Sequence, residues 1–120
     1  MADVALYAVA AFFAGMAAVT LAVPAQALAP FGIALQQPAA RVEVRAVYGG
    51  FGLAMAAILV AAASSGGDLR RGIVLTVAVA MAGMAAGRIL GRAAGPVGFY
   101  PVWLWFWVEV ALAAVLMAAA

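Results

Sequence analysis

Hydrophobic positions dominate this chain in four long runs, and polar or helix-breaking residues mark the gaps between them. The first run covers residues 4–23 and stops before Pro24. The second covers 39–63, after Pro38, and ends in Ser64-Ser65-Gly66-Gly67-Asp68, a turn by composition. The third begins at Leu69 or Arg70 and ends at Leu90; Gly91, Gly95, Pro96 and Gly98 follow as a loop. The fourth covers 99–119. Each run approaches the roughly 20 apolar residues that a spanning helix needs. Between the first two, residues 24–38 hold Pro24, Pro30, Pro38 and Gly32 but no charge, together with Leu28, Phe31, Ile33 and Leu35. That segment is too short and broken to span. It is expected to lie among the headgroups or to tuck over the bundle mouth. The pattern predicts an all-α, integral membrane four-helix bundle, with residues 1–120 as a single transmembrane domain.

Composition sharpens this reading. The chain is 71% hydrophobic and 8% charged, with a mean hydropathy of +1.23. A soluble domain carries about 25% charged residues, so there is too little polar surface here to coat a water-soluble globule. Cysteine and histidine are absent. No disulfide framework exists, and no metal site, haem or iron–sulfur cofactor is expected. A cysteine nucleophile and a Ser-His-Asp arrangement are both excluded. Glu43, Glu109 and Tyr48 offer acid–base groups, but Ser64 and Ser65 lie in the opposite loop, so no catalytic residue is assigned. The net charge of +2 comes from arginines dispersed over three loops, which is no nucleic-acid patch. Ala25-Gln26-Ala27 resembles a signal cleavage site. Asp3 stands where a signal would carry Lys or Arg, and the run is longer than an h-region, so a retained helix is expected. The arginine balance, with the intrahelical ones discounted, places both termini in the cytoplasm.

Small residues recur every four positions. Gly83, Gly87 and Gly91 form two overlapping GxxxG repeats, extended by Thr76 and Ala80; Ala46, Gly50 and Ala54 form a row on the second helix. Such rows let helix backbones approach closely in lipid. The expectation is that the rows of helices two and three pack against each other inside one bundle; a homodimer seam is the alternative.

Charge concentrates at one end. Antiparallel neighbours bring together the start of helix two, the end of helix three and the start of helix four. That gathers Arg41, Glu43, Arg45, Arg88 and Arg92, with aromatic residues from Phe99 to Trp107 forming an interfacial belt. Glu109 lies about 15 Å into helix four at 1.5 Å per residue, near the midplane of a core about 30 Å thick. It needs a partner, and Arg45 and Arg88 are the candidates. Trp105 and Phe106, four and three residues earlier, are expected to roof it. Arg41, Arg45 and Tyr48 share a face at i, i+4, i+7, so Glu43 is expected to pair with Arg88 or Arg92. Gly49-Gly50 leaves room for a helix or a small ligand. Buried ion pairs are often no more stabilising than apolar packing, which turns the reading of this cluster towards function.

Glu43-Val44-Arg45-Ala46-Val47-Tyr48-Gly49-Gly50 reads ExRxxYGG. With Gly87-Arg88 closing the third helix and Glu109 in the fourth, it resembles the signature of a bacterial family of uncharacterised small four-helix membrane proteins, distantly similar to the DoxX-like superfamily. The resemblance implies a four-helix bundle in a bacterial inner membrane. DoxX-like relatives are linked to quinone or thiosulfate metabolism, a redox role that a chain without cysteines or metal ligands does not inherit.

Three functions compete. The first is binding or carriage of a small amphipathic or anionic molecule, lipid-like in character, by Glu43, Arg45, Tyr48, Arg88, Glu109, Trp105 and Phe106. The second is proton-coupled transport through a membrane-embedded Glu109, which the surplus of arginine opposes by repelling cations. The third is an accessory subunit of a membrane complex.

Overall fold

The spacing of apolar residues along the helix faces sets the architecture. The computed structural model describes all residues 1–120 and contains no strand. Four helices are long and apolar enough to cross a membrane: α1 (Ala2–Ala22), α3 (Pro38–Ala63), α4 (Gly67–Gly91, continued by a 3-10 turn over Arg92–Ala94) and α5 (Phe99–Ala119). A short α2 (Pro24–Leu28) and a 3-10 turn (Ala29–Phe31) connect α1 to α3. The expected all-α, four-span bundle is what forms, and the chain is a multi-pass membrane protein by the length and apolarity of these helices.

The helices run up and down. Packing is most extensive between α1 and α3 and between α4 and α5; the two pairs are joined along α1–α5 and α3–α4. Leu6, Val9, Ala10 and Phe13 of α1 show the i, i+3, i+4, i+7 stripe of a helix face. They meet Ala56, Leu59 and Ala62 of α3, Val74, Val77, Ala78 and Met81 of α4, and Ala113, Leu116 and Ala119 of α5. In lipid such a core is held by close van der Waals packing rather than by exclusion of water. It fills the half of the bundle next to the termini. At that end Arg70 pairs with Asp3 at 2.7 Å and donates to the carbonyl oxygens of Ala62 and Ala63, satisfying the last turn of α3.

The other half is built differently. A second, separate cluster of Leu28, Leu35 and Val44 holds the α1–α3 connection over the bundle mouth. Pro24 starts a helix there instead of breaking one, since proline lacks only an N–H that a first turn leaves unpaired anyway. α3 carries a wide π turn over Arg45–Gly50. Beside that turn α1 comes very close. A Cβ on Gly49 would fall 2.5 Å from the Leu21 side chain, and one on Gly52 would lie 3.2 Å from Ala17 Cβ.

Two expectations need correction. Helix α4 begins at Gly67, inside the expected turn, because Gly67 takes φ +59, which a glycine adopts without steric cost. The glycine row of α4 does not face α3. Gly83, Gly87 and Gly91 are exposed, with open space where a Cβ would stand. Ala46, Gly50 and Ala54 of α3 are exposed as well. The close approach that glycine permits is made by Gly49 and Gly52 against α1. The buried stripe of α4 runs instead through Val74, Val77, Ala78, Met81 and Ala85.

Candidate functional site: a paired arginine and glutamate under an aromatic cap

At the charged end, α4 and α5 lie side by side and each contributes one ionised residue to their seam. Arg88 sits in the last turn of α4. Glu109 is 4% exposed. Arg88 Nε donates to Glu109 Oε1 at 2.7 Å and Nη2 donates to Oε2 at 2.8 Å. This parallel, two-bond geometry is the strong form of a charge-assisted pair. Glu109 therefore has Arg88 as its partner and not Arg45. Arg45 Nε donates instead to the Leu21 carbonyl oxygen at 2.9 Å, at the end of α1.

Tyr100 has φ −96 and ψ 133, outside helical geometry, and regular α-helix begins only at Leu104. Glu109 is thus about 7.5 Å into the regular helix at 1.5 Å per residue, and its partner is one turn from the end of α4.

A guanidinium carries five N–H donors, and Glu109 takes only two. Arg88 makes no other hydrogen bond to the protein, and no buried side-chain nitrogen or oxygen lacks a partner. Its spare donors therefore lie on an accessible edge, consistent with a side chain that is 21% exposed. Above it, the Phe31 ring of the α1–α3 connection lies 6.0 Å from the guanidinium carbon, at the limit of a cation–π contact. Tyr48 is half-exposed on α3. Arg41 Nη1 donates to the carbonyl oxygens of Leu35 at 2.9 Å and Gln36 at 3.3 Å, which ties the connection to α3.

Glu43 is exposed and forms no ion pair, and Arg92 is exposed too. The π turn takes an extra residue over Arg45–Gly50, so a face drawn at i, i+4, i+7 from Arg41 does not hold strictly through Tyr48. Trp105 packs on Phe12 of α1 at 6.1 Å, and Phe106 sits edge-on between Trp103 at 5.5 Å and Trp107 at 5.0 Å. These rings, expected over the carboxylate, are engaged with other aromatics. Gly49 is filled by Leu21 and offers no room to a ligand.

Residues 1–120 match the profile of a family described as Domain of unknown function (DUF4345). The chain belongs to that family. No curated protein and no solved structure matches it. The functional reading of this DUF4345 chain thus rests on its own geometry. Sequence reasoning on it missed Phe31, although the residue carries a signal: it is the single aromatic between Phe13 and Tyr48, in a segment without charge. The Leu21 carbonyl left no signal, because a backbone acceptor is invisible in residue types.

Proposed function

We propose that this protein binds a small amphipathic molecule in the membrane, with its polar head at Arg88 and its apolar part along the aromatic and aliphatic side chains of the bundle mouth. The observation that supports it is the half-used guanidinium. A charge placed in a membrane segment is costly and tends to mark function. Glu109 fixes the orientation of the fork, and the spare N–H edge remains accessible. The Phe31 ring lies against the group. This is a small number of placed polar groups among apolar surface, as ligand sites usually are. Proton-coupled transport is less well supported, since both oxygens of Glu109 are already engaged by Arg88.

A photoreactive residue tests this reading. Phe31→p-benzoylphenylalanine, irradiated in native membranes, is expected to capture a defined small molecule, seen as one discrete added mass. The same capture is expected to vanish when Arg88→Met/Glu109→Leu removes the pair. Crosslinks that are only heterogeneous lipid, unchanged by that double substitution, would overturn it.

One observation favours a second reading. The exposed Gly83, Gly87 and Gly91 face of α4 has the spacing that lets another membrane helix approach closely. The protein would then act as a subunit of a homodimer or of a larger membrane complex.

A further inference from the structure

We infer that the head group taken by Arg88 is a neutral hydrogen-bond acceptor, a carbonyl oxygen on an apolar molecule, and not an anion. The inference rests on the binding reading above and narrows it to a chemical class. Three observations carry it. Arg88 is already matched by one full opposite charge, held by two short bonds at 2.7 and 2.8 Å. Glu109 is almost wholly buried, so its charge is poorly screened by water. The spare donors of Arg88 lie on the edge of the same small, planar group, so whatever they bind is held within a few ångströms of the Glu109 carboxylate.

An anion on that edge would place two negative charges around one positive charge in a medium of low dielectric constant. The cost of burying the unmatched charge would be large, and repulsion from Glu109 would add to it. A carbonyl oxygen brings no charge. It accepts from an ionised donor, which makes a stronger bond than a neutral donor gives, and it leaves the pair balanced. The surrounding arginines do not reverse this. Arg41 and Arg45 donate to backbone carbonyl oxygens of the capping connection and of α1, and Arg92 is exposed. Phe31 lies over the guanidinium and supplies an apolar wall next to a planar polar group.

Glu109 is thus assigned a selecting role: by balancing Arg88 it sets the charge of the ligand. The test uses two probes of similar length in nanodiscs of uncharged lipid, 2-undecanone as the ketone and decane-1-sulfonate as the permanent anion. Binding is measured by titration calorimetry relative to Arg88→Met/Glu109→Leu, which has the same bilayer partitioning but no pair. In the wild type the ketone is expected to bind about tenfold more tightly than the sulfonate. In Glu109→Gln, which leaves the Arg88 charge unmatched, the order is expected to reverse. Sulfonate bound as well as or better than ketone by the wild type would overturn the inference and leave the binding reading standing. If neither probe binds the wild type above the pair-less control, the binding reading fails and this inference with it. Should Glu109→Gln not fold, the comparison of the two probes on the wild type still decides.

Discussion

The Arg88 fork and the Glu109 carboxylate meet edge to edge across the α4–α5 seam, with both bonds under 3 Å and the carboxylate buried. Removing one partner from such a pair strands the other, at a cost of about 3–5 kcal/mol, whereas replacing both by apolar residues of similar volume is often neutral or better. Arg88→Met and Glu109→Leu are each expected to be strongly destabilising, and the double substitution to return close to wild-type stability. Reversible unfolding of the four proteins in mixed micelles checks this. Losses that simply add in the double variant would mean that the two side chains do not act as a unit.

Gly49 and Gly87 predict opposite outcomes for one and the same substitution. At Gly49 a side chain would meet Leu21 of α1. Gly49→Val is expected to cost about 1–3 kcal/mol by overpacking, and Leu21→Ala should recover part of it. At Gly87 there is open space, and Gly87→Val should leave the stability of the isolated protein nearly unchanged. Thermal unfolding in detergent separates the two positions.

Arg41 holds the α1–α3 connection through two backbone acceptors, and beneath them lies only the small cluster of Leu28, Leu35 and Val44. Arg41→Ala is expected to speed amide hydrogen exchange across residues 24–37 by about tenfold, the effect of losing roughly 1.4 kcal/mol of local protection. Exchange in the core around Leu59 and Leu116 should not change. Exchange that accelerates throughout the bundle would show that the cap is not a separate unit.

The glycine face of α4 makes a prediction for assembly. If Gly83 and Gly87 pack against another helix, Gly83→Leu/Gly87→Leu should abolish the larger species in crosslinking and light scattering while leaving the monomer folded. An unchanged oligomeric state would remove the observation that favours a subunit role.

Much of this architecture is legible in the residues. Four apolar runs near the length of a bilayer core, separated by Pro, Gly and Ser, set the helix count and their alternation, because bilayer thickness leaves a chain of this kind little choice. The arrival of Arg88 and Glu109 at one end also followed from antiparallel order. What the residues do not reveal is rotation. A helix that is apolar all round carries no stripe to say which face turns inward, so spacing alone turns the glycines of α4 inward although they point out. The π turn at Arg45–Gly50 is hidden for a related reason, since residue types alone do not announce an added residue in a helical turn. Phe31 and the Leu21 carbonyl entered the site from a connection and from a backbone, where residue spacing has nothing to say.

Native mass spectrometry on protein released gently from its own membrane tests the central claim most directly. Wild-type protein and Arg88→Met/Glu109→Leu would be compared at matched expression. The account predicts a discrete bound mass on the wild type, of a size suited to a small amphipathic molecule, and its loss from the pair-less variant. A wild type that emerges empty, or a mass retained equally by both proteins, would contradict it.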